Sequence, residues 1–347
     1  MNAPVVVSGR VLVLRVVVVA CQALTVALTW PLWQVRASPP LPPLLPFPSI
    51  AAFAPQFDCG LLLLATLALL LWRPCIGIAC HFAALALAIG QDETRFQPQV
   101  ISLPLLLLAT LPGSGTRFIA LAHLIALWLW SKLHKFMSPA YLAHGGVLVT
   151  DRFAGCPERR AHAIALVVAA LEVALGVWAC FARTRPLARI VGAAMHLAVL
   201  AWLSPLVLGW NESVWPWNVA LAFAAWIVLG DDVPKFSEQW RAAPRWARAL
   251  VVAELLAPAG YEVGLFPAPL SHALYCMSTP HATWRHADGT VTHLRDLPEL
   301  GVFLPGTYHA LQSSFLAQAK PGERLLIVEQ RVLMRAMAWR ETVVRRE

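Results

Sequence analysis

Glu172 lies halfway along the apolar run 162–182, and His196 lies halfway along the next run, 187–208. Ionisable groups inside a bilayer are costly and mark functional positions by default. A short link, Arg183–Pro186, joins the two runs. Glu172 is eleven residues before it and His196 ten after it. At 1.5 Å per residue both sit roughly 15 Å from the same membrane face. A Glu–His pair at equal depth could shuttle protons or hold a headgroup. It could equally be a structural hydrogen bond that locks two helices together.

Three further clusters carry polar side chains at the ends of apolar runs. Asp92-Glu93-Thr94-Arg95-Phe96-Gln97-Pro98 is dense in polar groups for so short a connection, although its charges alone suit a solvated loop. Trp128-Leu129-Trp130-Ser131-Lys132-Leu133-His134-Lys135-Phe136 has the composition of an interfacial anchor with snorkelling lysines. Gly209-Trp210-Asn211-Glu212-Ser213-Val214-Trp215-Pro216-Trp217-Asn218 interleaves two asparagines with three tryptophans at the start of a run. Candidate substrate-binding residues from these clusters are Asp92, Arg95, Gln97, His134, Asn211, Trp215 and Asn218.

The elements that must position these residues are membrane helices. The chain has 347 residues, 59% hydrophobic and only 13% charged, whereas soluble domains carry roughly 25% charged residues. That excludes an ordinary soluble enzyme, a nucleic-acid binder and a disordered scaffold. The net charge of +8 fits basic residues gathered in cytoplasmic loops. A spanning helix needs about 20 mostly apolar residues. The clearest candidates are 11–33, 162–182, 187–208 and 214–230, with shorter ones at 50–72, 75–90, 99–112 and 117–136. The first run follows Arg10 as in a signal peptide, but it is long, lacks a small-x-small cleavage site and is read as retained. The proline-rich stretch Pro39–Pro48 reads as an extended connector.

With the N-terminus in the cytoplasm, the inner side receives Arg10, Arg73, Arg117, Arg183, Arg185, Arg189, Lys235, Arg241, Arg245 and Arg248. The outer side receives Arg36, Arg95, Lys132, Lys135, Arg152, Arg159 and Arg160, so ten against seven favours N-inside in a bacterial inner membrane. This parity places the 92–98, 128–136 and 209–218 clusters on one outer face, above Glu172 and His196. The stretch 247–266 holds Glu254, Glu262 and Pro258 and reads as a broken span or an interfacial helix; a crossing would carry the tail to the outer side. Residues 1–266 therefore form the membrane part. Residues 267–347 form a small α+β domain: a hairpin turning at Asp288-Gly289, a helix over Thr307–Lys320 and a strand at Arg324–Glu329. So small a core is marginal alone, so the domain is expected to pack on the membrane part. The fold class is an all-α polytopic bundle of eight or nine membrane helices with that domain appended. Seven cysteines, an odd number without a C-x-x-C, point to buried free thiols and to no metal; a Cys59–Cys156 bridge is the alternative.

Read in order, Asp92-x-x-Arg95-x-Gln97-Pro98, Trp130-Ser131-x-Leu133-His134-Lys135, Glu172, His196 and Asn211-x-x-Val214-Trp215-Pro216-Trp217-Asn218 resemble a bacterial membrane family. That family, of the HTTM type, is related to vitamin K-dependent γ-carboxylase and to the DoxX-like redox-associated proteins. The likeness covers about residues 85 to 331 and includes Ala273-Leu274-Tyr275 and Pro321-Gly322-Glu323-Arg324-Leu325-x-Ile327 in the tail. It implies Lys135 as the base that deprotonates reduced vitamin K, with Glu172 and His196 as further catalytic candidates. Lys132 stands where the pattern has Gly, Phe136-Met137 where it has Leu-Asn, and Glu93 and Gln99 where Gln and Trp are common. A retained fold with lapsed or altered chemistry is thus also implied.

Three functions remain open on these grounds. The first is an enzyme of carboxylase-like or quinone-linked redox chemistry, holding a quinone-type or other lipid-soluble substrate in an outer-leaflet pocket. The second is a non-catalytic membrane subunit that docks a partner protein in a larger complex. The third, a transporter, ranks lowest because no repeat of spans is visible. Nucleic acid is not an expected partner.

Overall fold

A computed structural model describes residues 9–35, 43–44, 58–146, 157–209, 211–230, 233–273, 276, 281–293, 308–329 and 340–345. Each of the eight apolar blocks contains a helix. They are α1 (Gly9–Leu28), α2 (Cys59–Trp72), α3 (Pro74–Gln91), α4 (Pro98–Leu107), α5 (Ser114–Met137), then the short α6 (Pro139–His144), α7 (Glu158–Cys180), α8 (Arg185–Leu203) and α9 (Trp215–Val228). Two more follow, α10 (Phe236–Ala242) and α11 (Arg245–Leu256). Prolines set several boundaries: Pro74, Pro98, Pro186 and Pro216 occupy first-turn positions, where a missing N–H removes no helix bond.

The expectation of eight or nine spans is met only in part. Among the described residues four helices, α1, α3, α7 and α8, are long and apolar enough to cross a membrane. Helices α2 and α9 have 14 residues each, about 21 Å, and α4 has 10 before its tighter 3₁₀ extension. Helix α5 has 24 residues but carries His123, Ser131, Lys132, His134 and Lys135. The outward faces of the apolar helices suit lipid: Val167 is 67% exposed and Ile190 57%.

Helix ends that parity assigns to one side meet each other. At one end Gln99 donates to Ser213, and Arg95 donates to the carbonyls of Leu32 and Gln34. At the other, Arg15 donates to the Thr110 carbonyl, Ser114 to that of Ala242, and Arg185 to those of Val233 and Pro234. Helix α5 is the centre of the bundle, with Phe118, Leu121, Leu124 and Trp128 all buried in the main core. Two glycines let its neighbours approach. A Cβ on Gly176 of α7 would come within 3.1 Å of Leu129, and one on Gly192 of α8 within 3.0 Å of the Trp128 ring.

The stretch 247–266 is broken, as its Pro258 suggests. Helix α11 ends at Leu256 and passes into a 3₁₀ turn, Ala257–Tyr261. It runs alongside α5 in the same direction: Ala247 touches Gly115, Glu254 bonds His123, and Glu262 bonds His134. Those α5 positions are 19 residues apart, about 28 Å of helix, so 247–262 covers the depth that α5 covers.

The tail holds a four-stranded antiparallel sheet in the order β2-β1-β3-β4, from β1 (His281–Arg285), β2 (Val291–His293), β3 (Arg324–Glu329) and β4 (Arg340–Arg345). The Asp288-Gly289 turn joins β1 to β2, with Gly289 at φ 88°, a left-handed conformation that glycine adopts freely. Helix α12 (Tyr308–Gln318) lays Leu311 and Phe315 on Trp284, Leu325, Ile327 and Val344. Its His309 reaches Glu93 at 2.5 Å, which seats it against the 92–97 turn. Most of the Pro39–Pro48 connector and Cys156 lie outside the described residues, as do Leu274 and Tyr275. Cys59 is a free thiol that accepts a hydrogen bond from Arg95.

Candidate functional site

Helix α5 carries two polar stripes, set by its 3.6-residue period. One holds Trp128, Lys132 and Lys135 at i, i+4 and i+7, facing α7 and α8. The other holds His123, Trp130 and His134, facing the 254–272 stretch.

On the first stripe the expected Glu172–His196 pair is replaced by two separate contacts. Lys132 Nζ lies 2.5 Å from Glu172 Oε2, both nearly buried. Trp128 Nε1 donates to His196 Nε2 at 2.9 Å, and His196 Nδ1 lies 3.0 Å from Asn218 Oδ1. Their partners on α5, Trp128 and Lys132, are one turn apart, about 6 Å along the helix. What the spacing could not show is that α7 and α8 turn their polar residues toward α5 rather than toward each other. Trp128 can only donate, so His196 Nε2 must accept and its proton sits on Nδ1, facing the Asn218 carbonyl oxygen. Asn218 then donates to the Val214 carbonyl at 2.9 Å.

Lys135 is buried, its Nζ 5.4 Å from the Tyr141 ring centroid and within electrostatic reach of Lys132, Glu172 and Cys276. Pro139 opens α6, and Ser138 caps it by accepting from Tyr141 N, so the turn after α5 folds Tyr141 back beneath Lys135. Two lysine side chains thus lie near one carboxylate at the end of the bundle.

On the second stripe, Trp130 donates to the Leu255 carbonyl at 2.8 Å. His134, fully buried, meets Glu262 at 2.7 Å and the Ser271 carbonyl at 2.9 Å. A carbonyl can only accept, so His134 Nε2 is protonated, and the Nδ1–Glu262 contact holds one further proton.

The remaining candidates serve local structure. Arg95 is 1% exposed and donates to the carbonyls of Leu32, Ala88 and Gln34, with Asp92 at 3.5 Å. It ties α3 to the turn after α1. Asp92 accepts from the Thr94 backbone and hydroxyl, and Gln97 donates to the Thr94 carbonyl. Asn211, at φ 53°, accepts from Ser213, and Trp215 donates to the Leu203 carbonyl. No described contact joins Arg95, Lys135, Trp215 and Asn218 to one another. An open apolar groove between α2 and α3, lined by Leu62, Leu69, Ala84 and Leu87 among others, includes none of them.

Sequence reasoning singled out neither His123 nor His272. Their signal was indirect: Glu254 inside an apolar stretch needs a partner, and its partners stand 131 residues before it and 18 after.

No family model, curated protein or solved structure matches this chain. The site's own geometry therefore carries the functional reading.

Proposed function

We propose that this chain is a multi-pass protein of a bacterial inner membrane, with its N-terminus cytoplasmic. In this reading the end of the bundle bearing Lys132, Lys135 and Glu172 binds a quinone-type, lipid-soluble substrate on a fold like that of vitamin K-dependent γ-carboxylase. The observation that carries it is the buried Lys132–Glu172 pair with Lys135 beside it against Tyr141. With Lys132 paired to Glu172, the Lys135 amine is left without an acid of its own, which suits the phenolic hydroxyl of a reduced quinone. Lys135, as a free amine, would accept the phenolic proton, and the resulting ammonium would pair with the phenolate oxygen. Lys132, held by Glu172, keeps the neighbouring charge fixed while this happens. The His309–Glu93 contact supports a tail that caps this end of the bundle.

The test is mass spectrometry of lipids extracted from the purified protein, with titration of a short-chain naphthoquinol followed by tryptophan fluorescence. A co-purifying quinone and saturable quinol binding, both lost in Lys135→Ala, are expected. Absence of both from the folded wild-type protein, or recovery of a large partner complex with no quinone, overturns the reading. A cysteine at position 2 should resist labelling from the periplasm in intact cells, and strong labelling there reverses the orientation.

A further inference from the structure

His123 of α5, Glu254 of α11 and His272 after the 3₁₀ turn Ala268–Ser271 converge from three separate segments, and each offers one ligand atom within 4.8 Å of the others. Helices α5 and α11 lie in parallel, which brings His123 Nδ1 to 3.0 Å from Glu254 Oε2. His272 Nε2 lies 4.0 Å from the same oxygen, and the two imidazole rings stand 5.3 Å apart. These are the donors of a borderline divalent ion. Two imidazoles and one carboxylate, with a position left open, match zinc sites that keep a water, and the soft thiolate set of a structural zinc is not used.

The supporting contacts are those a ligand set needs. A ligating histidine ordinarily holds its other ring nitrogen in a hydrogen bond, which fixes tautomer and orientation. His123 Nε2 lies 2.7 Å from Ser102 Oγ, and Ser102 Oγ also accepts the Trp217 indole N–H at 2.9 Å. Ser102 and His123 are each 1% exposed, so the imidazole is held rigidly. On the other ligand, His272 is one of two described non-glycine residues at positive φ, 54°. That conformation is disfavoured for a side chain with a Cβ, and such positions cluster at functional sites. The segment is held from behind by His134, whose Nε2 donates to the carbonyl of Ser271, the residue before His272. Glu254, 22% exposed at its side chain, is the open side of the cluster.

We propose that His123 Nδ1, a Glu254 carboxylate oxygen and His272 Nε2 bind one divalent transition-metal ion, zinc foremost, between α5, α11 and the 268–272 turn. The ion takes the place of the proton now shared between His123 and Glu254. In the metal-bound form the neutral His123 carries its one hydrogen on Nε2, where it donates to Ser102, and any further proton held between Nδ1 and Glu254 leaves to solvent. Tetrahedral metal–ligand bonds of about 2.0–2.1 Å put donor pairs about 3.4 Å apart. The 3.0 Å separation lies near this value, and the 4.0 Å one closes to it as His272 moves in. The third edge closes by a small shift of His272, which sits on a short turn rather than a long helix. The ion would lie about 18 Å along α5 from Lys135, twelve residues away, so it is a site apart from the lysine cluster. The Ser102–His123–Glu254 order also has the atom sequence of a nucleophilic triad, but Ser102 is buried and its oxygen is capped by Trp217.

The test uses the full-length protein in detergent, stripped with chelator and titrated with zinc chloride or, as control, magnesium chloride. About one zinc per chain should be retained after gel filtration and no magnesium, with an X-ray absorption spectrum of two imidazoles plus oxygen donors. His272→Asn keeps a residue that tolerates the left-handed backbone, and Glu254→Gln keeps the shape of the acid. Each should weaken zinc binding at least tenfold while elution volume and tryptophan fluorescence stay as in the wild type. Ser102→Ala should weaken it about tenfold through His123 alone. Failure of the folded wild type to retain zinc overturns the proposal. So does zinc held equally well by both ligand variants, or a spectrum with sulfur donors.

Discussion

Replacing Glu172 by leucine tests whether the lysine pair is organised around that one carboxylate. The change removes the group 2.5 Å from Lys132 Nζ and leaves Lys132 and Lys135, three residues apart on one face of α5, without it. Breaking a buried ion pair by removing one partner costs about 3–5 kcal/mol. Lys132→Met is not the mirror image. Glu172 already acts on Lys135, which can take up a proton and fill the vacated place, and the expected loss is smaller, about 1–3 kcal/mol. The double variant Lys132→Met with Glu172→Leu removes both charges and should be more stable than Glu172→Leu alone, because a buried pair exchanged for apolar residues is often neutral. The assay is the heating midpoint of detergent-purified protein, read by retention of the monodisperse gel-filtration peak and by tryptophan fluorescence. Equal losses for the two single variants, or additive losses in the double, would refute the shared-carboxylate arrangement.

Three other outcomes follow from the same structure. Gly192→Leu should drive α8 off the Trp128 ring and cost about 1–3 kcal/mol, seen as a lowered heating midpoint; an unchanged midpoint contradicts the close approach. Arg95→Lys should destabilise nearly as much as Arg95→Ala, because only a guanidinium reaches the Leu32, Ala88 and Gln34 carbonyls together; rescue by lysine argues against the fork. In the tail, the Lys320 N–H first, then His286 and Trp284, hold the Glu323 carboxyl below the ordinary carboxylate range. A depressed carboxyl contributes stability above its unfolded value near 4.3 and loses it as pH falls through the lower folded value. Acid unfolding followed by tryptophan signal should therefore lose a component in Glu323→Gln, and an unchanged acid limb would contradict the contact.

Composition and apolar run length determine the helices, because a segment that hides its own backbone polar groups among apolar side chains has few alternatives. Arg324–Glu329 is a strand from its first residue to its last, and Asp288-Gly289 is a turn, because those readings rest on local backbone preferences. The mid-helix positions of Glu172 and His196 were likewise legible, since both fall inside long apolar runs. Their partners were not. Which way a helix faces depends on where its neighbours can approach, and here Gly176 and Gly192 let α7 and α8 close on α5, so that Lys132 meets Glu172 and Trp128 meets His196. Lys135, suggested by resemblance, acquires its surroundings only when the turn at Ser138 folds Tyr141 beneath it. The meeting of His123, Glu254 and His272 is the extreme case. Their separations of 131 and 18 residues follow no period, and only the parallel docking of α11 on α5 brings them together. A sequence records what each residue can donate or accept, and packing alone selects which of those capacities face one another.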